Sequence, residues 1–532
     1  MEQQLFLGLD SSTQGLKCTI LDDQLQIVYE RALNFDRDLP QYGTRGGAHI
    51  REDGLTVTSP APMWVAALDM LFARMKADGA PFASVCAVSG SGQQHGSVWL
   101  KEGAEKRLAE LDAQKTLEEQ LHDIFATADC PIWMDSSTTA QCAAREVALG
   151  GAQATADLTG SKAYERFTGN QIAKMYAQQP NVYAATERIC LVSSFMASLL
   201  KGEYAPIDVS DGSGMNLMDI RTCSWSPEAL ACTAPDLKPR LGEIVASHTD
   251  IGVIHPYFAS RYGFSPRTRL IAWSGDNPNS LAGLRLQRPG DIAISMGTSY
   301  TVFGFLREAM PSATEGHVFV NPVDPKAFMA MVCYKNGALA RNRIRDAVAD
   351  GSWESFGTLV ASTPVANNGN IGFYFLDPEI TPPVHKTGIR RFDGKGNPVE
   401  AFDPATECRA VVEGQCLSMR LHGSHIGFAP RRILATGGAS VDRNMLQILS
   451  NVFNVPVYVA EKSDSASLGA AYRALHGWCC SREDRFVAFG DALGGEPPLI
   501  CAMQPDLEAH ALYSDLLKRY AGLEKQIIAE EG

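Results

Sequence analysis

A chain of 532 residues is too long to close around one core, and 45% apolar with 20% charged side chains describes a globular protein of two or more domains. The formal charge of −13 argues against a nucleic-acid or anionic-membrane surface as the main partner, while leaving room for a local basic pocket. Thirteen cysteines, odd in number and without a CxxC pair, fit neither a zinc site nor a disulfide framework and read as idle thiols of a reducing compartment.

At the amino end, Glu2 and Asp10 stand where a signal peptide needs positive charge and then an unbroken apolar run. Apolar runs at 5–9 and 16–21 flank the polar turn Asp10-Ser11-Ser12-Thr13-Gln14-Gly15, and 27–35 adds a third strand to an antiparallel meander. Helical spacing over 60–76 leads to a strand at 85–89 and the turn Gly90-Ser91-Gly92-Gln93-Gln94-His95-Gly96. Residues 101–126 read as a charged surface insertion and 132–135 as a strand ending in Asp135. Helices fill much of 137–200, and 210–214 is a glycine-serine loop. The apolar stretch 191–200 is too short and too rich in serine to span a bilayer, so a cytoplasmic protein is expected.

A buried strand at 270–273 gives way to Ser274-Gly275 and then Asp276-Asn277-Pro278, an Asx cap and proline opening a helix. Residues 291–303 repeat the strand–turn–strand pattern of residues 5–21, which suggests two related halves. A long helix over 405–425, strands at 433–435 and 455–459, helices from 444 and over 466–476, and a polar helical tail complete an α/β pattern.

An acid at a strand-to-helix break suits a general base, although alone Asp276 could be no more than a helix cap. The turn of Asp10, Ser11, Ser12 and Thr13 offers a carboxylate, hydroxyls and turn amides that can wrap phosphate and hold Mg²⁺ through water, or it is an ordinary hairpin. Gly297-Thr298 and the stretch 436–440, with Gly437 and Gly438, let backbone approach an anionic or flat ligand. Gln94 and His95 suit a polyhydroxylated ligand, where a structural histidine is the plain alternative. The 90–96 glycines are spaced one residue too long for a dinucleotide fingerprint, and no P-loop, zinc-protease or protein-kinase motif occurs.

In order, Asp10-Ser11-Ser12-Thr13, Gln94-His95, Trp133-Met134-Asp135, Gly275-Asp276-Asn277, Gly297-Thr298 and Thr436-Gly437-Gly438-Ala439-Ser440 resemble the FGGY carbohydrate kinases over nearly the whole chain. The runs 35–40, 55–60, 91–97, 164–171 and 210–216 are most similar to the xylulose kinases of animals and plants within that family. The resemblance implies an α/β fold of two RNase H-like (actin/hexokinase-type) domains, 1–268 for sugar and 269–532 for nucleotide, flanking a catalytic cleft that closes over Mg-ATP. It implies ATP-dependent phosphorylation of D-xylulose at its 5-hydroxyl, with Asp276 as base. Gln94, His95, Arg166 and Asn277 would orient the sugar, with Asp135 assisting, and Asp10 would hold Mg²⁺. Ser11, Ser12, Thr13, Gly297 and Thr298 would contact phosphates, and Trp353, Gly437 and Gly438 the adenosine. No nucleic-acid or membrane partner is implied. Other sugar or polyol kinases are the near alternative, and a nucleotide-gated actin-like protein the distant one. The chain departs from many relatives at Ser12, where glycine is common, at Ser136-Ser137-Thr138, where an arginine is common, and at Asp442, where asparagine is common.

Overall fold

The computed structural model describes residues 3–459, 465–497 and 499–530. The chain divides into two compact α/β units. The first comprises Met1–Gln287, Phe319–Phe328 and Asp464–Glu496; the second comprises Arg288–Val318, Met329–Ser463 and Pro497–Gly532.

In the first unit β1 (Leu5–Ser11), β2 (Gly15–Asp22) and β3 (Ile27–Asn34) form the expected antiparallel meander. β4 (Val85–Gly92) lies parallel to β1; β5 (Asp250–Val253) and β6 (Arg269–Ile271) complete the order β5-β6-β4-β1-β2-β3. Every side chain of β1 is buried, as a central strand covered on both faces requires.

In the second unit β7 (Asp291–Met296) pairs antiparallel with β8 (Tyr300–Leu306), and β9 (Phe328–Tyr334) follows β8. On the other side of β7 come β10 (Arg432–Thr436), β11 (Val457–Val459) and β12 (Ile500–Met503). The order β9-β8-β7-β10-β11-β12 matches β3-β2-β1-β4-β6-β5 strand for strand. The paired directions agree as well: β1/β4, β4/β6, β7/β10 and β10/β11 are parallel, while the β6/β5 and β11/β12 edges are antiparallel. The repeat glimpsed in two hairpins extends to six strands of each sheet.

Several local expectations are corrected. Residues 132–135 form a turn after a short strand, Asp129–Pro131, because the Asp135 carboxylate accepts from the Val57 and Ser137 amides and folds the chain around itself. The 210–214 stretch is a buried helical turn, Val209–Gly212, running into a tighter one, Ser213–Met215; Asp208 caps it by accepting from the Ser210 and Asp211 amides. Within 101–126 the helices Ala104–Ala109 and Leu117–Leu121 bury Leu108, Leu117 and Leu121, so the segment is not merely a solvated insertion. The C-terminal helix Leu507–Ala529 is no polar tail, since Tyr513, Leu516, Tyr520 and Ile527 are buried. No described helix is long and apolar enough to cross a membrane.

The expected domain boundary at 268/269 falls inside the first unit. The helix Ser465–Glu483, which sequence order assigns to the second half, packs in the first unit against the helix Asp276–Gly283. Small residues make that contact. A Cβ on Gly469 would lie 1.8 Å from the Asn279 carbonyl oxygen, and one on Gly283 1.9 Å from that of Ser465. Neither position admits a side chain at this helix spacing.

Candidate active site

Three neighbouring strand ends carry the polar residues of the first unit. Asp10 pairs in register with Ser91, and Ser91 with Ser274, so the turns after β1 and β4 and the helix start at Asp276 emerge side by side. Ligands bind at such carboxyl ends of parallel strands because helix starts and turns converge there. Ser11 Oγ, Ser91 Oγ, Gln93 Nε2, Gln94 Nε2 and Asp211 Oδ1 are buried here with no hydrogen-bond partner among the described residues. Buried polar atoms are nearly always satisfied, so five at one set of strand ends mark a place built for a polar ligand.

Asp276 is the first residue of the Asp276–Gly283 helix, with Gly275 rather than Asp276 itself in the capping position. Its Oδ1 accepts from the Asn277 amide at 2.9 Å and from Asn277 Nδ2 at 3.1 Å, and Nδ2 also donates to Gln94 Oε1 at 2.7 Å. Burial pushes the Asp276 carboxyl up to about 6, with the Asn277 and Gln94 amides pulling against it. A carboxylate near that value is ionised at neutral pH yet basic enough to accept a hydroxyl proton in a transition state.

His95 is held in the left-handed region, φ 68°, by two restraints. Its Nδ1 lies 2.9 Å from the Gly214 carbonyl oxygen, and its ring stacks on Phe167 at 4.4 Å. Burial, with the Arg166 charge adding to it, lowers its pKa to about 3, which keeps the imidazole neutral. A neutral ring donating Nδ1–H to the carbonyl presents Nε2 as an acceptor. Arg166 itself sits 5.2 Å over the Tyr164 ring. The glycines of the 90–96 turn serve packing: a Cβ on Gly90 would enter the Trp273 ring at 2.2 Å, and one on Gly92 would meet the Ser193 amide at 2.4 Å.

In the first turn Ser12 Oγ donates to the Gly15 carbonyl at 3.1 Å, and residue 12 has no positive φ, so the turn does not demand glycine there. Thr13 Oγ1 donates to Gln93 Oε1 at 3.3 Å and accepts from Trp133 Nε1 at 2.8 Å. Thr13 thus ties the first two turns together, and Trp133, 44% exposed, is fastened to it. The Asp10 carboxylate at the end of β1 is buried, with the Ser11 hydroxyl adjacent in sequence. This all-oxygen set fits Mg²⁺, which keeps most of its water and needs only one or two carboxylates.

Asp135, expected to assist, is committed elsewhere. Besides the Val57 and Ser137 amides it accepts from Ser137 Oγ at 2.5 Å and Gln171 Nε2 at 2.7 Å. Ser137 also accepts from Lys174, and Thr138 donates to the Glu165 carbonyl. Those two residues brace the fold just after Asp135.

Two further buried acids, Asp208 and Asp211, lie beside and within the 210–214 stretch, whose glycine-serine composition gives no sign of burial. Asp208 Oδ1 accepts from Ser274 Oγ at 2.6 Å, and its Oδ2 lies 3.3 Å from Arg473. Asp211 Oδ2 accepts from Ser193 Oγ at 2.5 Å, and its Oδ1 lies 2.8 Å from where a Cβ on Gly275 would be. Burial lifts the Asp211 carboxyl to about 8, the Ser193 bond opposing and the Asp208 and Asp276 charges adding. Asp211 therefore remains largely protonated at neutral pH, which spares Asp276 a second negative neighbour. The unfolded chain releases this proton near pH 4, so folding stability declines as pH rises from about 4 to about 8. Asp211→Asn is expected to remove that decline and to raise Tm at pH 8 more than at pH 5, as differential scanning calorimetry at the two values would register. An equal Tm change at both would show that Asp211 is ionised throughout.

In the second unit a cavity of about 850 Å³ opens beside the ends of β7 and β10. Gly297, Thr298, Trp353, Gly357, Gly438 and Asp442 are among the residues lining it. Gly437 is not in the lining; its φ of 82° and its contact with the Met296 backbone set the path of the turn instead. Trp353 is 43% exposed, with the Arg345 guanidinium 4.6 Å from its ring. Asp442 Oδ1 accepts from the Asn444 and Met445 amides, capping the helix Arg443–Phe453, so its charge is turned onto a helix N-terminus.

The N-terminal domain of the FGGY family of carbohydrate kinases matches residues 126–283 and its C-terminal domain residues 292–478. The chain is 50% identical to the mouse protein named xylulose kinase over 526 residues, covering 98% of this chain and 94% of that one. Among solved structures it resembles a ligand-bound xylulose kinase from Lactobacillus acidophilus, with a TM-score of 0.80 and 18% identity over 99% of both chains. It resembles a gluconate kinase from the same organism as closely, with a TM-score of 0.79 and 18% identity over 100% of this chain and 99% of the other.

Proposed function

We propose that this chain, which belongs to the FGGY family of carbohydrate kinases, transfers the γ-phosphoryl group of ATP to the 5-hydroxyl of D-xylulose, yielding D-xylulose 5-phosphate and ADP. The observation that carries the reading is the set of unsatisfied buried polar atoms around Asp276, in a chain half identical to a named xylulose kinase over nearly its full length. Fold does not choose the sugar, since a xylulose kinase and a gluconate kinase match it equally well. The identity of the whole chain does.

In this reading the sugar lies over the strand ends of the first unit. Gln94 Nε2 and Asn277 meet its hydroxyls, His95 accepts from another, and Arg166 steers from the rim. Asp276 takes the proton from the terminal hydroxyl as that oxygen attacks phosphorus and the bond to the ADP oxygen breaks. ATP occupies the cavity of the second unit, its adenosine against Trp353 and Gly438 on the turn that Gly437 shapes, and its phosphates at Gly297 and Thr298. Ser11, Ser12 and Thr13 would contact the phosphates. Asp10 would hold Mg²⁺ through water, and that ion would supply neutralising charge on the phosphates. Phosphoryl transfer asks chiefly for positioning and charge compensation, which turns on rigid strand ends provide.

The test is ADP release with Mg·ATP and a panel of D-xylulose, L-ribulose, D-ribulose, gluconate and glycerol. Strong turnover with D-xylulose alone is expected. Preference for another member would keep the chemistry and change the substrate, and no sugar-dependent ADP would overturn the enzyme reading.

The nucleotide side has its own test. Gly357 lies on the helix Trp353–Ala361 and lines the cavity, where the nearest atom to an added Cβ is Asn444 Nδ2 at 3.4 Å. Gly357→Ala should fold at least as well as the parent, alanine being favoured in helices by about 1 kcal/mol. Gly357→Leu would fill cavity space and is expected to raise KM for ATP about tenfold or more with KM for sugar unchanged, a loss of about 1.4 kcal/mol or more. Unchanged ATP kinetics in Gly357→Leu would remove the nucleotide from this cavity.

A further inference from the structure

Glu315, His422 and His425, all in the second unit, turn ligand atoms toward one another, with every such atom within 4.8 Å of the others. Glu315 precedes the strand His317–Val320, and the histidines occupy the last turn of the helix Pro404–His425. Glu315 Oε2 lies 2.9 Å from His422 Nδ1 and Oε1 lies 3.0 Å from His425 Nδ1. From the opposite side Glu524, on the helix Leu507–Ala529, reaches His422 Nε2 at 3.2 Å. Nothing in the phosphoryl-transfer reading uses this group.

We propose that Glu315, His422 and His425 form a structural binding site for a divalent transition-metal ion of the zinc type, completed by water. Tetrahedral Zn²⁺ with bonds of about 2.0–2.1 Å separates its ligand atoms by ~3.3 Å, so the two carboxylate–imidazole spacings need to open by only a few tenths of an ångström, and the imidazole nitrogens already lie within 4.8 Å of one another. Both imidazoles present Nδ1, and the carboxylate can bind through one or both oxygens. A metal-bound histidine commonly donates its other N–H to a carboxylate, which fixes the ring, and Glu524 stands in that position for His422. His422, Glu315 and Glu524 are buried, whereas the His425 side chain is 50% exposed, which gives an entry path and room for a water ligand.

A dication bound here would face two buried carboxyl groups, Glu315 and Glu524, and would tie the segment at 315, the long helix and the C-terminal helix together.

The experiment is titration of the full-length protein, stripped of metal by chelator, with Co²⁺ followed by visible absorption and then displacement by Zn²⁺. The spectrum separates this site from the thirteen cysteines, because thiolate ligation adds a sulfur-to-cobalt charge-transfer band. Expected is one Co²⁺ per chain with tetrahedral d–d bands and no thiolate band, displaced by Zn²⁺. His425→Gln, at a half-exposed position, should abolish that spectrum, and Glu524→Gln should weaken affinity about 10–100-fold. No uptake by the parent protein, a thiolate band, or uptake unchanged in His425→Gln would each overturn the proposal and leave the cluster an ion-pair network.

Discussion

Asp276→Asn is expected to lower kcat with D-xylulose by ~10²–10⁴-fold, the range general-base catalysis supplies, while ATP affinity and folding are retained. The substitution keeps the shape of the side chain and an oxygen for the Asn277 amide, so the bridge from Asn277 to Gln94 has no reason to fall apart. It also removes a carboxylate whose burial is a cost to the folded state, so Tm should hold or rise. What it cannot keep is an acceptor basic enough to take a proton. The defect should therefore appear in kcat, with KM for sugar changed far less. Turnover near that of the parent would mean that the base lies elsewhere.

The pH profile gives a second reading of the same carboxyl. Burial raises Asp276 to about 6. Below that value it carries the proton it is meant to accept, so kcat/KM should fall about tenfold per unit as pH drops beneath 6 and should level off above it. Asp211, still protonated through this range, adds no second break. An acid limb centred near 4 would place the base in a solvated site.

Much of the site was legible because its chemistry is local. Asp10, Gln94, His95 and Asp276 stand in short polar interruptions of apolar runs, and a strand that stops at a polar turn shows in one dimension. So does the first hairpin and its echo at 291–303. What escaped was set by contacts between residues distant in sequence. The family resemblance implies that Asp135 of the Trp133-Met134-Asp135 run assists at the sugar, yet the Val57 amide and Gln171 consume its acceptor capacity. The 210–214 stretch has a loop's composition, and only burial beneath Gly275 and His95 turns it into a support. The helix 465–483 has the same periodicity whichever sheet it covers; the close approach at Gly469 and Gly283 decides which.

That misassigned helix leads to the largest expected loss of stability. Arg473 is 1% exposed, at the centre of the first unit. Its Nη1 donates to Asn279 Oδ1 at 3.1 Å, and Nη2 to the carbonyls of Ser247 and Ala272 at 2.7 and 3.0 Å and to Asp208 at 3.3 Å. Arg473→Met would leave the buried Asp208 carboxyl without its countercharge, a change expected to destabilise by about 3–5 kcal/mol in urea unfolding. The same loss should reach the chemistry, because Asn279 donates to the carbonyls of Gly90 and Gly275 and so joins the Asp276 helix to β4. The decisive comparison is the double variant with Asp208→Asn. If most of the cost is an orphaned charge, the double variant should be clearly less destabilised than the sum of the two singles. Additive losses would assign Arg473 to packing and carbonyl bonding alone. A coupled result would show that a helix arriving almost two hundred residues after Asp276 supplies the countercharge for Asp208 inside the first unit.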